Sequence, residues 1–295
     1  MTSFGRSYVN GDEADYRFSV FQSNMRKVEA LQKSNPDAVF GVTQFSDLTY
    51  DEFISQYTGI RNETYTEPLN SVQYQPRNNG RNIDWTSQGK VAPVVNQGSC
   101  GSCWAFAGAC SIEGMRAVQG GWAVDLKSTQ QLVDCVRQSH GCNGGWPHHV
   151  WEWNMNEVLM SWSAYPYTGR QGSCRRAGGT ILMGYTMLSK SSWTSASNSD
   201  MIDALFNLGP LTVTLDAAPL QHYRSGILTD HSSCDDTPNH AVNIVGSVST
   251  YWKLRNSWGS SWGEAGYFRI ARSTKRGGIC SMNRYVGTAC RTSSC

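Results

Sequence analysis

The chain reads as α+β, because helical and strand signals segregate along it instead of alternating. Residues 103 to about 160 carry the helical signals: Cys103 to Gln119 runs without proline, and Ser128 stands as an N-cap for Thr129 to Cys135. From about residue 180 onward the chain reads as strands. Leu211-Thr212-Val213-Thr214-Leu215, Ala241 to Val245, Tyr251 to Arg255 and Tyr267-Phe268-Arg269-Ile270 are β-branched or aromatic-rich runs bounded by glycines, prolines and polar turns. Ahead of both blocks lies a leading segment, residues 11 to 59, with a helical period of its own.

In that leader Glu13, Arg17, Phe21, Asn24, Val28 and Gln32 recur at three- and four-residue steps, which puts them on one face of an amphipathic helix. After Pro36, the residues Gly41, Thr43, Phe45 and Asp47 alternate as a strand would, and Thr49 is placed to cap a short helix through Asp51-Glu52-Phe53. Gly59 to Asn82 is polar, contains Pro68 and Pro76, and reads as an exposed linker. Asn62-Glu63-Thr64 inside it is a glycosylation sequon, a tripeptide that is also common by chance.

A length of 295 residues admits one large domain or two ordinary ones. The net charge of +2 with 16% charged residues gives no basic face for nucleic acid and no acidic solvating tail. No stretch approaches the roughly 20 consecutive apolar residues of a membrane helix. Met1-Thr2-Ser3-Phe4 lacks the charged start and apolar run of a secretory signal, yet ten cysteines suit an oxidising compartment. A signal, and the beginning of the leader, are therefore expected outside this sequence.

The chemistry centres on Gln97-Gly98-Ser99-Cys100-Gly101-Ser102-Cys103-Trp104-Ala105-Phe106. Cys103 sits at a glycine-rich turn just before a helix-compatible apolar run. Backbone N–H groups at a helix N-terminus favour an anion, and a nearby imidazole lowers a thiol's pKa further. The spacing Cys100-Gly101-Ser102-Cys103 also fits a redox dithiol or half a zinc site. A redox motif wants a thioredoxin-like βαβ context, which is missing. Zinc wants a second pair at comparable spacing, whereas Cys135 and Cys142 are seven apart. No metal and no cofactor are expected.

Far downstream, Asn239-His240-Ala241-Val242 and Asn256-Ser257-Trp258-Gly259-Ser260-Ser261-Trp262-Gly263 supply an imidazole and a side-chain amide. Gln97, Cys103, His240 and Asn256, in that order, together with Asp84-Trp85 and Gly141-Cys142-Asn143-Gly144-Gly145, resemble the papain-like cysteine proteases over nearly the whole chain. The leader's helical pattern resembles the interspersed Glu-Arg-Phe-Asn helix of that family's propeptides, in the variant ending in Gln that is similar to cathepsin F-type proregions. Gly41 to Asp47 resembles the second propeptide motif, Gly-x-Asn-x-Phe-x-Asp, with Thr43 replacing Asn.

The resemblance implies a papain-like fold, with a helical left half and a β-barrel-like right half either side of a cleft, preceded by a mainly helical propeptide. Residues 1–78 would be the propeptide with its activation linker and residues 79–295 the peptidase domain, the mature enzyme beginning near Arg77 to Asn82. The propeptide would dock on the right half and cross the cleft opposite to the substrate direction. Asp47 is a candidate acid switch there, losing charge-assisted hydrogen bonds once protonated. The family's first propeptide helix is missing from this sequence, which implies weaker inhibition. The resemblance pairs Cys100 with Cys142, Cys135 with Cys174 and Cys234 with Cys280. It leaves Cys110 as a buried small hydrophobe and Cys290 and Cys295 unassigned, a pair with each other being one option.

The resemblance also gives each site residue a role. Cys103 attacks the peptide carbonyl and His240 holds and later delivers the proton, as a resting thiolate–imidazolium pair. Such pairing takes a cysteine's pKa to about 3–4, as in papain itself. Asn256 orients the imidazole, Trp258 shields that bond, and Gln97 donates to the oxyanion beside the Cys103 N–H. Gly144 and Gly145 bind substrate backbone, with Asn239 alongside. Trp146, Pro147, Thr214, Pro238, Ala241 and Tyr285 line the pocket for the second side chain before the scissile bond. Tyr285 stands where a carboxylate would have to sit to accept arginine, so aliphatic or aromatic side chains are expected. His148 and His149 read as helix-flanking residues, and His140, His222 and His231 as surface or structural ones. The implied function is a cysteine endopeptidase zymogen, lysosomal, vacuolar or secreted and monomeric. Its implied partners are polypeptide substrates, its own propeptide and cystatin-type inhibitors, with no nucleic acid and no membrane. A peptide ligase of the same family and a noncatalytic peptide-binding homologue are the alternatives.

Overall fold

The computed structural model describes residues 4–62, 65–189, 195–235, 237–273, 275, 277–292 and 295. The side chain of Asn10 accepts the Glu13 N–H and starts α1 (Gly11–Ser34), with Asp12 and Glu13 in the positive first turn. The six residues that repeat in the sequence form its sheltered face. Buried Asn24 donates to the Ser46 and Leu48 carbonyls at 3.0 and 2.8 Å. Arg17 donates to Glu52 and to the Asp47 carbonyl, and Gln32 to the Ala38 carbonyl, so this face holds the segment that follows.

No strand forms over Gly41 to Asp47. The strand is β1 (Ala38–Phe40), and the chain turns after it. Thr43 Oγ1 accepts the Phe45 N–H while donating to the Gln221 carbonyl, and Ser46 Oγ accepts the Thr43 N–H. Hydroxyl-to-backbone bonds of this kind compete with a ladder, and here they win. Then comes α2 (Tyr50–Tyr57), opened by a reciprocal capping box between Thr49 and Glu52. The linker carries β2 (Val72–Gln73) and is not uniformly exposed, since Gly59, Ile60 and Tyr74 are buried. Of the sequon, Glu63 and Thr64 lie outside the described residues.

The remainder contains β3 (Ile83–Asp84), α3 (Cys103–Val118), α4 (Thr129–Cys135), α5 (Pro147–Asn154), β4 (Gly184–Met187), α6 (Asn198–Leu208), β5 (Leu211–Leu215), β6 (Tyr223–Leu228), β7 (His240–Ser247), β8 (Tyr251–Arg255), β9 (Tyr267–Ala271) and β10 (Val286–Cys290). Ser128 caps α4 through the Gln131 N–H, as its position suggests. α6 interrupts the region expected to be all strand; Ser197 caps it by accepting the Asp200 N–H, and its apolar residues pack into the sheet's core.

One sheet runs in the order β1-β6-β9-β8-β7-β5-β10-β4-β2, with β3 on β7. Its two ends, β1 antiparallel to β6 and β2 parallel to β4, both come from the leader and linker, which cover edges that would otherwise stand open. Two apolar clusters form. One gathers the sheet, α6 and the leader's Phe45 and Phe53; the other gathers α3, α4 and α5. Disulfides join Cys100 to Cys142, Cys135 to Cys174, Cys234 to Cys280 and Cys290 to Cys295, leaving Cys103 and Cys110 as free, buried thiols.

Candidate active site

Cys103 is the first residue of α3, the helix at the middle of the helical cluster, and its side chain is fully buried. N–H groups of Ala241, Trp104 and Gly59 converge on the sulfur, and the Arg61 charge reaches it. Ala241 follows His240, so the start of β7 lies against the thiol.

His240 Nε2 lies 2.8 Å from Asn256 Oδ1, which also accepts the Ser257 N–H. An amide oxygen only accepts, so Nε2 carries the proton and Nδ1 is the free basic nitrogen. The Trp258 indole stacks on the imidazole with centroids 4.6 Å apart and planes 21° apart, keeping that bond dry. Gln97 is equally fixed. Its Oε1 accepts from Ser257 Oγ at 2.6 Å, and its Nε2 donates to the Cys100 carbonyl at 2.9 Å and to the Tyr57 carbonyl at 3.2 Å.

The leader fills the rest of the site. The Tyr57 carbonyl also accepts from Trp258 Nε1 at 2.8 Å. Gly59 crosses the thiol so closely that a Cβ on it would sit 3.2 Å from Cys103 Sγ and 2.2 Å from the Gly101 oxygen. The Gly59 carbonyl accepts the Gly145 N–H at 2.9 Å, and the Gly59 and Ile60 N–H groups donate to the Asn239 carbonyl. Gly144 itself, at φ +113°, has no room for a side chain beside the Gly59 oxygen. Trp146 Nε1 donates to the Arg61 carbonyl, and Tyr65 packs edge-on against the Trp146 ring. Ile60 lies in one apolar cluster with Cys103, Trp146, Ala241 and Tyr285. Thr214 pairs with Ala241 across β5 and β7, Pro147 opens α5, and Pro238 is buried just before β7.

The electrostatics differ from the sequence expectation of a resting ion pair. Covered by the leader, the Cys103 thiol is pushed up to about 12 by burial, against the smaller pull of the N–H groups around it. Burial takes the His240 imidazole down to about 4, the Asn256 hydrogen bond opposing it. In this covered form burial favours the neutral state of both groups.

Other histidines also depart from expectation. His148 and His149 do not flank a helix; they are buried in the first turn of α5. His148 meets the Tyr285 hydroxyl, and His149 Nδ1 lies 3.0 Å from Ser139 Oγ. Nothing in the sequence signals the first contact, whose partners are 137 residues apart. His140 is exposed, His231 accepts the Cys280 N–H, and His222 is buried under the leader.

Comparison with known proteins agrees with this site. Residues 80–289 match the family described as papain family cysteine protease, and residues 1–53 match the cathepsin propeptide inhibitor domain. Fruit bromelain of Ananas comosus is 34% identical over 297 residues, covering 96% of this chain and 82% of its own. Papain of Carica papaya is 34% identical over 305 residues, with the same two shares, 96% and 82%. The structure of digestive procathepsin L2 proteinase from Tenebrio molitor larval midgut superposes with a TM-score of 0.86 at 31% identity, covering 98% of this chain and 96% of that one. Recombinant stem bromelain precursor gives a TM-score of 0.84 at 32% identity, over 98% and 96%. With a thiol, an imidazole and a side-chain amide gathered beneath a matching propeptide, the chain belongs to the papain family of cysteine proteases and is a zymogen.

Proposed function

We propose that Cys103 is the nucleophile of this endopeptidase, His240 its proton carrier, Asn256 the group that orients the imidazole and Gln97 an oxyanion donor. The observation that carries the reading is the path of the propeptide. A peptide backbone lies across the thiol, with the Tyr57 carbonyl on Gln97 Nε2 and the Gly59 carbonyl on the Gly145 N–H. Once the propeptide leaves, water raises the effective polarity around both groups, and the proton passes from Cys103 to His240 Nδ1 to give the ion pair. The thiolate attacks the scissile carbonyl, and negative charge on oxygen meets Gln97 Nε2 and the Cys103 N–H. Imidazolium protonates the leaving amine, a thioester forms, and water attacks it with His240 taking the proton back.

Side-chain preference follows from Ile60, which occupies the apolar space among Trp146, Ala241 and Tyr285. Leu or Phe at the second position before the scissile bond fits that space, while arginine would bury a charge with no carboxylate partner. Processing near Arg77 to Asn82 divides the chain into a propeptide, 1–78, and a peptidase domain, 79–295. Cystatin-type inhibitors would block the same cleft of a monomeric enzyme. Four disulfides support an oxidising destination, lysosomal, vacuolar or secreted.

The test is hydrolysis of fluorogenic dipeptides with Leu, Phe or Arg at the selectivity position, after acid incubation with a thiol reductant, with Cys103→Ala as control. Leu or Phe is expected over Arg, with no turnover in the variant. Silence after removal of the propeptide would refute the nucleophile, and a preference for Arg would refute the placement of Tyr285.

A further inference from the structure

The Tyr285 hydroxyl has an unusual attachment. The His148 backbone N–H donates to its oxygen at 3.0 Å, and His148 Nδ1 of the same residue lies 3.1 Å from it. Both side chains are buried, and the Tyr285 ring tilts against Trp146 with centroids 5.3 Å apart. A phenol has one hydrogen to give. The Thr66 backbone accepts a hydrogen bond from His148 on its Nε2 side, which puts the imidazole's proton on Nε2 and leaves Nδ1 to accept the phenol's hydrogen, so His148 is neutral. The Nε2 side is covered by Thr66 of the linker, whose Oγ1 lies 3.5 Å from it and 2.9 Å from His149 Nε2.

We propose that His148 is a positioning residue for substrate selectivity: by occupying the Tyr285 hydroxyl it turns the wall of the side-chain pocket apolar, and by taking up a proton it turns that wall polar. This rests on the reading of Tyr285 as part of the pocket for the second side chain. Removal of the linker takes Thr66 away and opens Nε2 to water. When His148 gains a proton, both ring nitrogens carry hydrogen and Nδ1 donates to the Tyr285 oxygen. That oxygen then accepts from Nδ1 and from the backbone N–H, and its own hydrogen is displaced toward the pocket. The pocket gains a donor suited to an amide or hydroxyl side chain.

The surroundings set the direction of this switch. Burial first, and then the His149 ring 4.4 Å away, hold His148 down to about 3 while the linker is in place. The other ionisable groups facing the pair are Tyr65 on the linker, Tyr185 on β4, Glu152 on α5 itself, and His140, which acts on His149. Loss of the linker removes the smaller, raising hydrogen bond of the Thr66 backbone but also lets water onto the ring, and because burial is the largest influence His148 rises in the mature enzyme.

The experiment uses mature enzyme processed from the full chain, normalised by titration of the Cys103 thiol. It measures kcat/KM between pH 4 and 8 for dipeptides with Leu or Gln at the selectivity position. In the wild type the Gln-to-Leu ratio is expected to rise by about 3- to 10-fold as the pH falls, the worth of one hydrogen bond. Tyr285→Phe, which lacks the hydroxyl, gives a flat, low ratio. His148→Leu, which frees the hydroxyl at every pH, gives a flat, high one. His148→Gln offers an acceptor that does not titrate and restores the low ratio without a pH dependence. A wild-type ratio independent of pH, or a His148→Leu ratio matching that of His148→Gln, would overturn the proposal while leaving hydrolysis and the Leu preference intact. Loss of all hydrolysis in the wild type would instead remove the functional reading, and this inference with it.

Discussion

Lowering the pH from 7 to 5 is expected to loosen the propeptide, and His222 supplies a calculable part of the effect. His222 is 2% exposed, and neither ring nitrogen has a hydrogen-bond partner among the described residues. Its carbonyl accepts the Gly41 N–H at 2.9 Å, the next residue, Tyr223, pairs with Phe40 of β1, and the charge of Lys27 on α1 reaches the ring. Burial first and Lys27 second lower its pKa from 6.5 to about 4. Because the docked pKa is depressed, docking is unaffected above about pH 6.5 and weakens as the pH falls from there toward 4, the interval in which the open form binds the proton and the docked form does not. Between pH 7 and 5 this single group costs about 2 kcal/mol, or roughly 20-fold in the docking equilibrium. The assay is hydrogen exchange of the propeptide amides in the full chain carrying Cys103→Ala, which cannot process itself, with and without His222→Phe. Protection over residues 38 to 46 should fall about 20-fold further with acid in the parent than in the Phe variant. Equal losses in both would mean that His222 takes up no proton when the propeptide opens. Asp47→Asn in the same background separates this effect from the carboxylate switch expected from sequence, since Asp47 is held by Arg6 and Tyr8 on the same face.

Two other substitutions probe the propeptide's path. Gly59→Ala would force a methyl group onto the Gly101 oxygen and the Cys103 sulfur. Overpacking of this kind costs about 1–3 kcal/mol, so alkylation of Cys103 in the intact zymogen should speed up by about 5- to 150-fold; an unchanged rate would mean the chain does not cross the thiol there. Asp203 on α6 accepts from the Tyr74 hydroxyl and from the Arg77, Asn79 and Gly80 N–H groups, clamping the linker where processing is proposed. Asp203→Ala should accelerate cleavage of residues 74–80 by an added protease about tenfold or more, since each hydrogen bond to a charged acceptor is worth about 1.5–3 kcal/mol. These four hydrogen bonds hold the Asp203 pKa below its ordinary value against the opposing effect of burial, so the clamp persists from pH 7 to 5 and yields only in stronger acid. Equal cleavage rates in parent and variant would mean that Asp203 does not hold the linker.

The sequence reveals most where chemistry demands one residue type at one place. Cys103 at a helix start, His240 at a strand start and the capping pairs Ser128–Gln131 and Thr49–Glu52 are all local signals, and each lies where the spacing put it. The helix face from Glu13 to Gln32 is legible for the same reason, its period being a local property. Alternation misleads at Gly41 to Asp47, because two hydroxyls bonded to backbone replace the ladder that the pattern suggests. Polarity misleads in the linker, where Gly59 and Ile60 are buried against residues far along the chain, at Asn239 and Gly145. Contacts at that distance leave no trace in composition. The same is true of His148 on Tyr285, and of the burial beneath Gly59 that raises the Cys103 thiol.

On the proposed mechanism one thiol, held neutral by burial under the propeptide, becomes a thiolate paired with His240 when the cleft opens. The rate of Cys103 alkylation with iodoacetamide from pH 3 to 9, followed by peptide mapping, in the intact zymogen and in the mature enzyme reads this change. The mature thiol is expected to stay reactive down to about pH 4, as a histidine-paired thiolate does, and the zymogen to react at least about 100-fold more slowly at pH 7, its thiol pushed up to about 12 by burial. A mature thiol that becomes reactive only above about pH 8, like an ordinary cysteine, or a zymogen that reacts as fast as the mature enzyme, would contradict that mechanism.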